Sequence, residues 1–372
     1  MKPVTLLVAL LAVMALGFAQ PSASAVARTQ AVQKAKLALE EECRREAAGN
    51  WEAWYGQLEP FRAAMLALTE RTPQRTKGKR LLELLPDPPL YEDSQQAWYM
   101  ILPDGLQVAR PESRVLKAIT TASSWLKRRR VDLIFVPVPK VSEVYPDRLV
   151  KQVPPSRIVA PHIRKLIYEL LKADVEVLDL LPAFLAARGK SPRPLYYAAD
   201  PHWTNEAEKI AAQAIAERLK RYPFVQKALK AAPLYRVEPV AFRFNGVQYP
   251  ELTPEEQRRV GPLLDVPMLK VLDSAGKPFE ETDDARAIII GDSYTHCSRY
   301  VLKGTGINAL LAKEINQPIT NISSGGATLQ PFKEIVRDRD EILVAPLVIV
   351  WIISNCALTD YPDWQMPQLP EN

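Results

Sequence analysis

Histidine is nearly absent from this chain: His162, His202 and His296 are all that 372 residues contain. Cysteine is as rare, at Cys43, Cys297 and Cys356. Three cysteines in a chain of this length exclude a disulfide-stapled mini-scaffold, and their spacing fits no metal site. No metal and no cofactor is expected. Glycine is scarce, 14 residues against 33 prolines, which predicts fixed loop corners. The formal net charge of +5 is too small and too interspersed for a nucleic-acid binder, although it is compatible with an acidic polymer. Beyond the first residues no apolar run is long enough to span a bilayer. The histidine shortage has the most consequence, because the choice of a general base is then almost forced.

The N-terminus reads as an export signal, residues 1–25. Lys2 supplies the positive start, Val4 to Phe18 the apolar core and Ala23-Ser24-Ala25 a small-x-small cleavage site, so the mature chain is expected to begin at Val26. The alternative is an uncleaved anchor formed by residues 4–18. Either places the protein outside the cytoplasm, periplasmic or secreted. If the chain holds a disulfide, the expected pair is Cys297 and Cys356, since both should follow the ends of central strands.

Arg28 to about Thr72 is rich in Ala, Glu, Gln, Lys and Leu and reads as one or two helices, docked by Trp51 and Trp54. With the proline-punctuated stretch that follows, residues 26–110 form a helical segment and connection. Residues 111–360 then alternate strand and helix. Leu133 to Val138, Val175 to Leu178, Ala287 to Ile290, Ile319 to Ile322 and Leu347 to Ile353 are predicted strands. Ser113 to Arg130, Pro161 to Lys172, Asn205 to Arg221 and Gly306 to Asn316 are predicted helices. This pattern predicts a three-layer α/β/α fold around a mainly parallel sheet. Sites in such folds lie beyond the carboxyl ends of the strands. Tyr222 to Glu281 reads as an irregular insertion that could form a lid or substrate wall.

Two stretches carry chemistry. Asp200-Pro201-His202-Trp203-Thr204 lies just before a helix, and Gly291-Asp292-Ser293-Tyr294 follows a strand directly. Serine is a weak nucleophile and needs a base within hydrogen-bond reach. A hydroxyl, an imidazole and a carboxylate two residues before it supply every part of a Ser-His-Asp acyl-transfer site. Ser293 is the expected nucleophile, His202 the base and Asp200 its orienter, their side chains brought to one side by an extended loop. Gly291 would permit the turn and Asp292 brace it. The Ser293 N–H is a candidate oxyanion donor, and the Ser323-Ser324-Gly325-Gly326 loop offers Gly325 and Gly326 as further candidates. Trp203, Tyr294 and Arg299 are candidate substrate contacts. Each motif also has a plain reading: Asp-Pro is a common turn opener, and a lone Gly-Asp-Ser occurs by chance. His296, three residues after Ser293, is the rival base. His162, at a helix start, reads as structural.

Asp-x-His-Trp followed by Gly-Asp-Ser resembles the alginate O-acetyltransferases of the AlgJ/AlgX type, SGNH-hydrolase-like proteins. The resemblance covers roughly Pro111 to Leu358 and includes Val136-Pro137-Val138-Pro139-Lys140 and Val177-Leu178-Asp179-Leu180-Leu181-Pro182. Ordinary SGNH esterases place the serine block first; here the order is reversed, as in the acetyltransferases. The resemblance implies acetyl transfer to hydroxyls of an exported polysaccharide, acidic or neutral, through an acetyl-serine. It also implies a membrane O-acyltransferase as acetyl donor, and carries the nucleophile, base and orienter onto Ser293, His202 and Asp200. An extracytoplasmic carbohydrate or lipid esterase of the SGNH type would use the same acyl-enzyme. A non-catalytic polysaccharide-binding or assembly protein would use only the cleft.

Overall fold

The computed structural model describes residues 22–71, 90–92, 98–100, 113–191, 194–197, 200–244, 254–260, 264–296, 298, 301–343, 347–359 and 363–370. The apolar stretch at residues 4–18, Cys297 and Arg299 lie outside the described residues, and with them the expected leader, the Cys297–Cys356 pairing and the Arg299 contact.

Three helices open the chain: α1 (Ala23–Ala47), α2 (Trp51–Gln57) and α3 (Glu59–Arg71). Ala23-Ser24-Ala25, the expected cleavage site, forms the first turn of α1, capped by the Ser22 hydroxyl. A short antiparallel pair follows, β1 (Leu90–Glu92) and β2 (Trp98–Met100). The alternating region comprises α4 (Ser113–Arg128), β3 (Val131–Val138), α5 (Val141–Val144), α6 (Pro146–Leu149), α7 (Pro161–Lys172), β4 (Glu176–Val177), α8 (Leu181–Ala187) and α9 (Asn205–Leu219). After α10 (Pro223–Leu229), β5 (Tyr235–Phe244), α11 (Pro254–Val260) and β6 (Leu264–Asp273) come β7 (Ala287–Gly291), α12 (Ile307–Ile315), β8 (Thr320–Ser323), α13 (Gln330–Asp338), β9 (Leu347–Ser354) and α14 (Asn355–Thr359).

Five strands form one sheet in the order β4-β3-β9-β7-β8, every neighbouring pair parallel. The fold is thus the expected α/β/α sandwich. All eight residues of β9 are buried, which is why that strand reads as an unbroken apolar run. Val348, Val350 and Ile352 pack on one face against Ala207, Ala211 and Ile215 of α9 and Leu310 and Leu311 of α12. Ile349, Trp351 and Ile353 pack on the other with Ile119 of α4, Ile167 of α7, Phe332 of α13 and Leu39 of α1. Helix α1 is therefore part of the outer layer rather than a loose extension. Buried Arg164 of α7 fixes it there, donating to Glu42 at 2.6 and 2.9 Å and to Asp179.

Within the stretch expected to be irregular, β5 and β6 form a ten-residue antiparallel ribbon. Pro239 and Pro267 hid it from the sequence pattern, yet each faces a residue across the ribbon, Leu269 and Ala241. A two-stranded ribbon has two free edges, and a proline whose missing N–H points outward breaks no ladder bond.

Candidate active site

Strands β7, β8 and β9 end side by side, and their register aligns Gly291 with both Ser323 and Ile352. Ser293 leaves the sheet at this carboxyl edge. Ser293–Thr295 forms a 3-10 turn. Asp292 makes the turn. Its carboxylate accepts the N–H of Tyr294 at 3.0 Å and the N–H of Ser354, the last residue of β9, at 2.8 Å. Burial raises the Asp292 carboxyl, and those donors pull it back down. Gly291 is needed for close approach rather than for an unusual turn angle. A Cβ there would lie 2.1 Å from the carbonyl oxygen of Ile352 and 2.7 Å from the Thr295 methyl.

The base loop comes in from α9. An isolated bridge pairs Tyr196 with Trp203, and the Thr204 N–H donates to the Leu195 carbonyl at 2.8 Å, pinning the residues on either side of His202. The loop is bent, not extended. Oδ1 of Asp200 accepts the His202 N–H at 2.8 Å and also engages ring Nδ1 of His202. The carboxylate thus shapes the turn and orients the imidazole with one atom. On the far side of the ring, Nε2 of His202 lies 2.7 Å from Oγ of Ser293. The Asp200 side chain is 1% exposed and that of His202 12%. The relay runs from a buried carboxylate outward to a part-exposed hydroxyl.

Two of the expected contacts, Trp203 and Tyr294, are buried, and Trp203 lines the cavity beside the base. Trp203 Nε1 donates to the Tyr294 carbonyl at 3.0 Å, and the Tyr294 hydroxyl donates to the Pro201 carbonyl at 2.7 Å. Both rings join the loops. The Tyr294 ring also stands 4.9 Å from the His202 ring. His296, the rival base, turns toward the small-residue loop, its ring atoms 3.8 Å from where a Gly325 Cβ would sit. His162 packs edge-on against Tyr55 at 6.1 Å, away from the site. Gly325 and Gly326 are exposed, on the turn that leaves β8 beside Gly291. Among the described residues, no main-chain hydrogen bond is donated by the N–H of Ser293, Gly325 or Gly326.

The ribbon supplies a wall. Phe244 packs edge-on against Tyr197 at 5.0 Å. A small, mostly apolar cavity lies between Phe244 and Met268 of the ribbon, Tyr197, Asp200 and His202 of the base loop, and Ser298 and Val301. Among the described residues no cluster of side chains is arranged to hold a metal ion.

A sequence profile described as SGNH hydrolase-like domain, acetyltransferase AlgX, matches residues 100–355. The chain belongs to the AlgX SGNH hydrolase-like acetyltransferase family. Its fold is similar to the O-acetyltransferase domain of Pseudomonas putida AlgJ, with a TM-score of 0.58, 19% identity, and 76% of this chain and 96% of that one covered. It is also similar to Pseudomonas aeruginosa AlgX, with a TM-score of 0.50, 15% identity, and 74% of this chain and 63% of that one covered. Comparison with curated proteins gave no match.

Sequence reasoning missed Ser354, whose N–H braces Asp292, as well as Asn205, Glu208 and Ser298, which form a buried network behind the base. Nothing local marks them; the packing of strand ends and loops brings them together.

Proposed function

We propose that this protein is an O-acetyltransferase that acetylates hydroxyls of a polysaccharide through Ser293, His202 and Asp200. The observation that carries the reading is the unbroken relay from Asp200 through the imidazole to the serine hydroxyl, with Nε2 of His202 2.7 Å from Oγ of Ser293. Membership of the acetyltransferase family supports the transferred group.

Ser293 Oγ attacks the acetyl carbonyl carbon and its proton passes to Nε2 of His202. The bond to the donor oxygen breaks and that oxygen takes the proton, leaving an acetyl-serine. A sugar hydroxyl then gives its proton to Nε2 and attacks the same carbon. The Oγ–carbon bond breaks and Ser293 recovers the proton. Asp200 stabilises the imidazolium formed in each half. The N–H of Ser293, with Gly325 or Gly326 opposite, would hold the oxyanion. The acceptor is an acidic or neutral polysaccharide and the donor a membrane O-acyltransferase, with the protein working outside the cytoplasm. No helix among the described residues is long and apolar enough to cross a membrane.

The test uses an acetyl-ester reporter with and without oligosaccharide acceptors. Wild type should form an acetyl-protein adduct at Ser293 and acetylated sugar, and Ser293→Ala should form neither. Acetate released with no acetylated sugar across acidic and neutral acceptors would replace the transferase reading by an esterase. Unchanged turnover in Ser293→Ala would overturn both.

A further inference from the structure

Besides Asp200 and Asp292 the site contains a further buried carboxylate that the acyl-transfer steps do not use. Glu208 lies in the first turn of α9, six residues after His202, with a side chain almost completely out of solvent. It accepts from the Ser298 hydroxyl at 2.5 Å and from the Asn205 side-chain amide at 2.9 Å. The Asn205 side-chain oxygen in turn accepts the N–H of Leu269, on β6, at 2.8 Å. Glu208 and Asn205 together therefore join three parts of the chain: the helix that continues from the base loop, the segment five residues past Ser293, and the ribbon. Ser298 also lines the cavity that Asp200 and His202 line.

The location is costly. A buried carboxylate loses its hydration and must recover it from fixed donors. Burial raises the Glu208 carboxyl to about 7, while the bonds from Ser298 and Asn205 and the charge of His202 pull the other way. An apolar residue would fill the core more cheaply, but it could not grip Ser298. Acyl transfer tolerates little slack between nucleophile and base, since a displacement of about 1 Å can cost on the order of 100-fold in rate.

We propose that Glu208 is a positioning residue: its bond to Ser298 fixes the segment after the nucleophile against the helix after the base, and so keeps Ser293 Oγ within reach of His202 Nε2. The proposal rests on the reading of Ser293 and His202 as nucleophile and base. The Trp203 and Tyr294 bonds join the same two loops, and the Glu208 bond to Ser298 adds a further tie between them.

The experiment measures kcat and KM on an acetyl-ester reporter, together with melting temperature, for the full-length chain carrying Glu208→Ala, Glu208→Gln, Ser298→Ala or the Glu208→Ala/Ser298→Ala pair. The alanine variants should each lose about 10- to 100-fold in kcat with KM within about twofold, the range expected for a misplaced reacting group. The double variant should be no worse than the poorer single one, because one bond is being removed. Glu208→Gln, which can still bond Ser298, should recover most of kcat. Full kcat in Ser298→Ala, or Glu208→Gln as impaired as Glu208→Ala, would overturn the proposal. Should Glu208→Ala not fold, Ser298→Ala and Glu208→Gln still decide it. Failure of the underlying reading shows separately, as retained turnover in Ser293→Ala.

Discussion

Trp203 and Tyr294 fasten each other's loops. The indole of Trp203 donates to the Tyr294 main chain, while the hydroxyl of Tyr294 donates to the main chain of Pro201, two residues before Trp203. Their rings also meet edge-on at 5.5 Å. The nucleophile and the base sit one residue inside these ties, on Ser293 and His202. The 2.7 Å gap between them is thus set by two reciprocal bonds and a ring contact rather than by the His202–Ser293 bond alone.

Tyr294→Phe tests this. The substitution keeps the ring and deletes the donor, leaving the Pro201 carbonyl without its tie. A lost buried hydrogen bond of this kind costs about 1–2 kcal/mol. The expected outcome is a modest fall in melting temperature with a several-fold drop in kcat on an acetyl ester. A drop in stability with unchanged kcat would show that the tie supports the fold but not the relay.

The sheet was legible because its strands are buried on both faces and so read as apolar runs; the whole of β9 lies in the core. The relay was legible because histidine is so scarce. The ties were not, since nothing in the sequence pairs the Trp203 indole with the Tyr294 carbonyl or the Tyr294 hydroxyl with that of Pro201. In the sequence Glu208 is one acid among others at the start of a predicted helix, and nothing in its spacing announces a bond to Ser298, 90 positions away. The ribbon was hidden by its prolines, whose cost depends on which edge faces outward.

Asp200→Asn should separate the two roles of Asp200. Its amide oxygen can still accept the His202 N–H and keep the bend, but it carries no charge to stabilise an imidazolium. Losing a comparable carboxylate costs on the order of 10⁴-fold in a serine hydrolase. The variant should melt close to wild type and lose about 10²- to 10⁴-fold in kcat. Asp200→Ala should lose stability as well, because the bend goes too. Wild-type kcat in Asp200→Asn would remove the carboxylate from the mechanism.

Gly291→Ala is expected to be among the most damaging single methyl additions in the chain. The new Cβ would overlap the Ile352 carbonyl at 2.1 Å, and the Ile352 main chain belongs to the central strand of the sheet and cannot yield easily. Overpacking typically costs about 1–3 kcal/mol, and a backbone clash of this depth belongs at or above the upper end. The measurement is chemical denaturation of the purified variant. A loss below about 1 kcal/mol would mean that β7 and β9 can separate at this end.

Stability should also fall as pH rises through neutrality, and Glu143 is a principal cause. It lies on α5, past the end of β3, where burial raises its carboxyl from the ordinary value of 4.5 to about 7 against the opposing charge of Lys140 and the bond from Asn355. The folded protein therefore holds a proton that the unfolded chain releases near 4.5. The stabilising contribution is fully present below that value, declines between it and about 7, and is gone above. The loss is on the order of 3 kcal/mol for a fully buried group. Glu143→Gln mimics the protonated form and its side-chain oxygen can still accept from Asn355. It should match wild type near pH 5 and melt higher near pH 8. Glu208, raised in the same direction, should leave part of the slope in place. Parallel melting curves for the two proteins from about pH 5 to 8 would mean that Glu143 is already ionised in the fold, with Lys140 close enough to carry its charge.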